Sequence, residues 1–421
     1  MMTKMIHLKI LQTPIQTAVQ LPSSKSESNR ALIIQALAKY QQAAANVELS
    51  NISEARDTQT LQRLLGEEGK ILDVLDAGTT MRFLTAFIAV TQQHKILTGT
   101  ARMQSRPIGI LAEALKSLGA SIEFLKHAGY PPIEIHPKHP LQGKAIQMRG
   151  DISSQYISAL LMIAPLLPDG LDIELTGKIN SRPYIEMTLQ LMAHFGIQSS
   201  FEGNHIKVAH QPYQANQYAI ESDWSGASYW YAIVALSENT TTKITLKGLR
   251  ADSLQGDRVI VELMQHFGVK STFVADGVVL EKVAIASESA PLELNFAQCP
   301  DLAQTVAVVA AAKGIPLQMK GLESLKIKET DRVNALQQEL KKVGSHLEEK
   351  ESQAEWLLHP GAELPTVPIT IQTYEDHRMA MAFAPLACLL NLNIEDPEVV
   401  AKSYPRFWDD LQKAGMETKV V

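Results

Sequence analysis

One pattern occurs six times along this chain of 421 residues: an apolar, helix-like run opens on a cluster of small polar or charged residues. The openings are Ser24-Lys25-Ser26-Glu27-Ser28-Asn29-Arg30, Asp76-Ala77-Gly78-Thr79-Thr80-Met81-Arg82, Ser153-Ser154-Gln155, Asp223-Trp224-Ser225-Gly226-Ala227-Ser228, Asp301-Leu302-Ala303-Gln304-Thr305 and Asp376-His377-Arg378. After the first, they recur roughly every 70–75 residues. Ser, Thr and Asp are residues that a helix takes at its N-cap. Uncapped N–H groups and the helix dipole make such ends anion sites. Six helix starts, several carrying Lys or Arg, predict a chain built around an anionic small molecule.

A second helix type recurs beside the first. Segments 107–119, 183–196, 257–268, 330–344 and 404–415 are amphipathic and end on glycine, the expected left-handed stop. Pro107 and Pro183 fall in the first turn, where a helix tolerates proline. A shorter version, 57–65, follows the first apolar helix, and strand-like runs follow at 121–125, 197–201 and 269–274. The chain therefore reads as internal repeats, each holding a buried helix, a helix with one wet face and several strands. It is longer than one core usually serves, and six repeats fit two domains of three. The polar segment Ser237-Glu238-Asn239-Thr240-Thr241 marks the expected boundary, with the other crossing at 19–22. The expected domains are 22–240 and, joined together, 1–21 with 241–421.

Composition narrows the function. A net charge of −6 argues against a general nucleic-acid binder, so any anion site must be a local concentration of cations. Cys299 and Cys388 form no metal-ligand spacing and fit a reducing cytoplasm. Residues 1–17 lack the apolar core of a signal peptide, and the apolar runs 159–167 and 307–312 are too short to span a bilayer. Taken singly, the polar residues have plain readings. Ser26 is a cap, Glu329 and Arg332 a solvated pair three apart, and Gly78 a turn glycine. His377 is structural, and Trp224 and Trp230 are core. Ile135-His136-Pro137-Lys138-His139 is read as a loop, because no third ligand stands nearby in sequence. No metal is expected.

These residues occur together and in order. Leu21-Pro22-Ser23-Ser24-Lys25-Ser26-Glu27-Ser28-Asn29-Arg30-Ala31-Leu32 resembles the N-terminal signature of the enolpyruvyl transferases. Asp76-Ala77-Gly78-Thr79-Thr80-Met81-Arg82 resembles a second signature, that of the family's shikimate-directed branch. Matches continue through Arg106-Pro107-Ile108, Ser153-Ser154-Gln155-Tyr156, Ser181-Arg182-Pro183-Tyr184, Lys328-Glu329-Thr330-Asp331-Arg332 and Asp376-His377-Arg378-Met379-Ala380.

The resemblance implies an α/β fold of two domains, each an inside-out barrel of three βαβαββ units around buried helices. Domain 22–240 is then the shikimate 3-phosphate side, and 1–21 with 241–421 the phosphoenolpyruvate side. The active site is expected in the cleft. The implied reaction moves the enolpyruvyl group of phosphoenolpyruvate to the 5-hydroxyl of shikimate 3-phosphate, with no cofactor. A cytoplasmic monomer is expected, without nucleic-acid or membrane partners.

The resemblance also assigns residues. Arg82, Arg332 and Arg378 hold phosphoenolpyruvate, with Lys25, Arg106, Gln155, His377 and Lys402 nearby and backbone N–H groups from Gly78 and Thr79. Arg forks suit phosphate and carboxylate. Ser153, Ser154, Gln155, Ser181 and Tyr184 meet the shikimate phosphate. Lys25, Ser26, Arg30, Asp301, Ser324 and Lys328 meet its carboxylate and hydroxyls. The addition–elimination chemistry needs a base for the hydroxyl and acids for C3 and the leaving phosphate. Lys25, Asp301, Glu329 and His377 are the catalytic candidates, with Asp301 favoured as base and Glu329 as the proton carrier at C3. Gly78 leaves room for glyphosate, a competitor of phosphoenolpyruvate. Several positions depart from the family pattern: Asp76 replaces an Asn, Phe83 a Pro and Ser324 an Asn, and Trp224 and Gly226 vary the fourth motif. A sister activity on UDP-N-acetylglucosamine and an inactive anion-binding paralogue are the alternatives. The loop Gly99-Thr100-Ala101-Arg102-Met103-Gln104-Ser105 lacks the sister branch's Cys or Asp.

Overall fold

The computed structural model describes residues 4–9, 13–42, 46–142, 145–285, 291–350 and 354–420. All six apolar openings lead into helices: Lys25–Gln41, Gly78–Val90, Ser154–Ile163, Trp224–Leu236, Ala303–Ala312 and His377–Phe383. Apolar residues surround these helices on every side, so they can only sit inside. Every residue of Gly78–Val90 except Thr79 is buried, and every residue of Trp224–Leu236 except Ser225. Trp224 and Trp230 are core residues with no exposed surface.

Capping follows the sequence at four of the six starts. Ser24 accepts from the Glu27 N–H, Ser153 from Gln155, Asp223 from Ser225 and Asp376 from Arg378. The cap of the first helix is thus Ser24, not Ser26. Two starts lack a side-chain cap: Ala77 precedes Gly78–Val90, and a 3-10 turn, Pro300–Leu302, leads into Ala303–Ala312. The acids of those two openings, Asp76 and Asp301, bind arginines instead.

Two compact units result: Ser23–Ile220, and Met1–Pro22 together with Glu221–Val421. The changeover lies at 220/221, before the polar 237–241 segment that the sequence offered as a boundary. The reason is burial. Trp224–Leu236 packs with Ile244, Leu246, Phe267 and Leu280 in the core of the second unit, so it belongs with them, and the polar segment is a turn inside that unit.

Within each unit the three apolar helices pack on one another, and the sheets repeat one design. In unit 23–220, Ile71–Asp73 runs parallel to Lys95–Thr98, which pairs antiparallel with Ile133–His136 and then Ser121–Phe124. Ala145–Arg149, Leu171–Thr176, His205–Val208 and Ser199–Glu202 repeat that order. The third sheet is reduced to a parallel pair, Val47–Ser50 with Asn216–Ala219. In the other unit the order recurs in Leu292–Asn295, Leu317–Lys320, Glu355–His359 and His346–Glu349. The remaining two sheets each borrow a strand from the start of the chain. Gln16–Gln20 runs parallel to Lys243–Lys247, and Met5–Leu8 lies between Leu392–Glu395 and Thr418–Val420.

The amphipathic helices end as expected on Gly119, Gly196, Gly268, Gly344 and Gly415, with φ of 102°, 85°, 80°, 76° and 98°. One of them differs. Segment 257–268 is not a continuous α-helix but a 3-10 turn Gly256–Val259, one α turn Ile260–Leu263 and a 3-10 turn Met264–Phe267. His136 is likewise not in a loop but at the end of the strand Ile133–His136. No helix among the described residues is long and apolar enough to cross a membrane.

The borrowed strand carries a stability prediction. Ile6 and Leu8 alternate inward at 1% exposure while Met5 and His7 stay half-buried. Ile6→Ala should destabilise the protein by about 2–5 kcal/mol, as an interior core truncation does. Denaturant unfolding measures it, and a loss below about 1 kcal/mol would mean that the strand adds little to its sheet.

Candidate active site

The residues matched to the family fall into two clusters, one in each unit. In unit 221–421 the centre is Arg332. Asp331 caps the helix Arg332–Lys342 by accepting from the Asn334 N–H, which places Arg332 at the first helical position, 2% exposed. Its Nε donates to Asp376 Oδ2 at 2.6 Å and its NH1 to Asp301 Oδ1 at 3.0 Å. Its NH2 donates to Glu329 Oε2 at 2.7 Å and Asp376 Oδ1 at 3.3 Å. One guanidinium therefore gathers three carboxylates. Glu329 and Arg332 are a buried pair, not a solvated one, because Glu329 precedes the helix and turns inward.

The neighbouring cations complete the cluster. Arg378 NH2 donates to Asp301 Oδ2 at 2.7 Å and Ser225 Oγ at 3.3 Å. Its NH1 donates to the Asp301 carbonyl at 3.2 Å and the Tyr229 hydroxyl at 3.5 Å. Lys402, 2% exposed, places Nζ 3.7 Å from Glu329 Oε1. His377 is also 2% exposed, with Nδ1 3.4 Å from Asp376 Oδ1. Ser324 is half-buried in the turn Glu323–Ile327.

Protonation follows from this packing. Burial pushes the Asp301 carboxyl up, but Arg378, Lys328 and Arg332 outweigh it and hold the group well below the usual carboxylate range. Burial lowers the Lys328 ammonium, and the pull of Asp301 recovers only part of the shift. For Arg332, burial opposes the charge, while Asp376, Glu329 and Asp301 outweigh it and raise the guanidinium further. Sequence reasoning passed over Asp376 as a site residue. The residue caps its helix by accepting from the Arg378 N–H at 2.9 Å and also holds Arg332. Its position as the first acid of an Asp-His-Arg run was the available signal.

In unit 23–220, Lys25 Nζ lies 3.3 Å from Asp57 Oδ2, a partner 3% exposed on the helix Arg56–Leu65. The departure at Asp76 is neutralised locally, since Arg56 NH2 donates to both its oxygens at 3.2 and 3.1 Å. Gly78 opens its helix directly beneath Arg106. A Cβ there would stand 2.7 Å from both NH1 and NH2 of that arginine, so any larger residue would have to displace the tip of that side chain. Gln155 Nε2 donates to Thr79 Oγ1 at 3.2 Å, and Ser153 Oγ accepts from the Gln155 N–H at 3.4 Å. Ser154 is 8% exposed. Ser181 adopts the left-handed conformation at φ 55° and accepts through its carbonyl from the Tyr184 N–H at 3.1 Å. Such a backbone in a non-glycine residue is strained and concentrates at functional sites.

Two expected anion ligands are otherwise engaged. Arg82 donates to the Pro107 carbonyl at 2.7 Å and the Gly78 carbonyl at 3.1 Å, and lies over the Tyr156 ring at 5.8 Å. It braces the segment carrying Arg106. Arg30 donates to Thr188 Oγ1 at 2.7 Å, the Ser26 carbonyl at 2.8 Å, Ser158 Oγ at 3.2 Å and the Tyr184 carbonyl at 3.4 Å. Burial pulls its guanidinium down to about 10. The departure at Phe83 has a role here, because its ring faces Arg30 at 5.5 Å.

Similarity to known proteins covers both units. Residues 44–411 match the family model of EPSP synthase (3-phosphoshikimate 1-carboxyvinyltransferase). The chain is 47% identical over 418 residues to a 3-phosphoshikimate 1-carboxyvinyltransferase of Bacteroides fragilis, covering 99% of each. It is 34% identical over 429 residues to one of Methanospirillum hungatei, covering 95% of this chain and 96% of that one. Among solved structures, an EPSP synthase of Acinetobacter baumannii superposes at TM-score 0.75 and 19% identity over 100% of both chains. The enolpyruvyl transferase NikO of Streptomyces tendae superposes at 0.74 and 13% identity, over 100% of this chain and 99% of that one. These two establish the shared two-domain α/β fold. The motifs lie in family order, and both clusters are made of their residues. The chain belongs to the EPSP synthase family.

Proposed function

We propose that the two clusters serve one reaction, the transfer of the enolpyruvyl group of phosphoenolpyruvate to the 5-hydroxyl of shikimate 3-phosphate, with release of phosphate. The observation that carries the reading is the Arg332 cluster. Lys328, Arg332, Arg378 and Lys402 surround Asp301 and Glu329 in one buried group. It combines anion recognition with two carboxylates for proton transfer. Arg106, Gln155, Ser153, Ser154, Ser181 and Tyr184, with the N–H groups at Gly78 and Thr79, supply the matching anion-binding set in the other unit. The enzyme works as a cytoplasmic monomer in this reading, which two buried free cysteines fit.

The chemistry uses no enzyme nucleophile. The 5-hydroxyl oxygen attacks C2 of phosphoenolpyruvate and gives its proton to Asp301, while Glu329 protonates C3. C3 then returns its proton to Glu329 as the C2–O bond to phosphate breaks, and the proton held by Asp301 leaves with the phosphate, so both carboxyls regain their starting states. Ion-paired to Arg332 and Arg378, Asp301 is too weak a base for this step. Phosphoenolpyruvate supplies the remedy. Its phosphate and carboxylate compete for the same guanidinium groups, loosen them from Asp301 and Glu329, and let the Asp301 carboxyl rise toward a useful range. The enzyme's own carboxylates thus hold the place of substrate anions until the substrate arrives.

A phosphate-release assay tests the reading. Release with shikimate 3-phosphate and none with UDP-N-acetylglucosamine is expected. Release only with the nucleotide sugar would assign the sister activity, and release with neither an inactive paralogue.

Three substitutions probe the parts. Glu329→Gln keeps shape but removes the proton carrier, so turnover should fall by roughly 10²–10⁴ with substrate binding largely spared. Turnover near wild type would reduce Glu329 to an ion-pair partner of Arg332. Asp376→Asn releases the Nε side of Arg332 while leaving a cap residue in place. It should raise KM for phosphoenolpyruvate more than it lowers kcat, and should cost up to about 3–5 kcal/mol of stability as a broken buried ion pair. Steady-state kinetics alongside urea melts separate the two effects. Gly78→Ala must push Arg106 aside, since the new methyl would stand 2.7 Å from both its terminal guanidinium nitrogens. The inhibition constant for glyphosate should rise most, and KM for phosphoenolpyruvate should rise with it. An unchanged KM would show that Arg106 does not hold that substrate.

A further inference from the structure

His136 ends a strand, and that placement creates a cluster the sequence does not show. The two-residue period of a strand puts Glu134 and His136 on one face. The antiparallel pair Lys95↔Ile135 sets His94, just before it on one strand, across from His136, just after it on the other. The two imidazole rings lie 4.8 Å apart between centroids. His94 Nε2 is 2.8 Å from Glu134 Oε1, and His136 Nε2 is 4.0 Å from Glu134 Oε2. The exposed side chain of Glu123, on the adjacent strand, brings Oε1 to 3.7 Å from the same His136 nitrogen. That nitrogen is shielded from solvent and has no hydrogen-bond partner. Making no hydrogen bond, it keeps its lone pair available to a metal ion.

We propose that His94, Glu134 and His136 bind a divalent transition-metal ion of the Zn²⁺ class, with Glu123 in reach as a fourth ligand. Two imidazole nitrogens and a carboxylate oxygen are a donor set that Zn²⁺ takes. Magnesium and calcium, which prefer all-oxygen shells, do not match it. Donors about 2.1 Å from a tetrahedral ion stand roughly 3.4 Å apart. The donor atoms of His94, Glu134 and His136 lie within 4.8 Å of one another, somewhat wider than that. Closing the site on an ion requires rotation of the imidazole rings and a swing of the carboxylate. Lys70 Nζ sits 2.8 Å from Glu134 Oε1 and neutralises it in the metal-free protein. Its side chain is 52% exposed and free to swing away. The ion would staple Lys95–Thr98 to Ile133–His136. None of its ligands belongs to the substrate clusters.

Calorimetric titration of the full chain with ZnCl₂ tests the site. One ion per chain is expected, together with a rise in melting temperature, because an ion bound only by the folded state stabilises it by mass action. His94→Ala and Glu134→Gln should each weaken Zn²⁺ binding by about tenfold or more. His139→Ala, just beyond the strand, should leave it unchanged. Co²⁺ in place of Zn²⁺ should give a visible absorption band that the first two variants lose. A wild-type chain that takes up no Zn²⁺ would overturn the proposal. So would a His94→Ala variant that binds it as tightly as wild type.

Discussion

Arg332 is the constraint on which the charged cluster of unit 221–421 depends. Its guanidinium is all but sealed from solvent and is charged, a state that is costly unless every donor finds a counter-ion. Asp301, Glu329 and Asp376 provide them from three separate segments of the chain. Satisfying the charge therefore fixes the 3-10 turn at Asp301, the stretch before the Arg332 helix and the start of the His377 helix relative to one another. Asp376 tightens the arrangement by capping its own helix with the same carboxylate. Ion pairs of this kind do not stabilise by their mere presence, but each is expensive to break, and this makes the group specific in geometry.

In unit 23–220, arginines of similar burial serve a different purpose. Arg82 and Arg30 spend their donors on carbonyls and hydroxyls of the fold. A guanidinium bound to neutral backbone oxygens braces the loops that present Arg106, Ser181 and Tyr184. One bound to carboxylates, as in the Arg332 cluster, instead ties charged side chains from separate segments together. The same residue type in the same kind of motif thus meets neutral partners in one unit and charged ones in the other.

The placement of the elements was legible in sequence to the extent that burial is all-or-none. Helices apolar on every side could go only inside, and glycine could end helices at five places because only it takes a positive φ without strain. The boundary at 220/221 was less legible. The polar 237–241 segment gives a stronger local signal than the residues before Trp224, and only packing shows to which core that helix belongs. The broken helix at 257–268 had the periodicity of a continuous one.

The sequence by itself determined the family, the six repeats and the identity of the charged residues, because helix caps, apolar runs and motif order are written along the chain. Tertiary structure alone decided which charges meet. It gave Asp76 to Arg56, Phe83 to Arg30 and Asp376 to Arg332. It set His94 beside His136 through a strand register that joins residues forty apart in sequence. Partners distant in the chain leave no local signature, since an ion pair depends on separation in space, and only the folded backbone sets that separation.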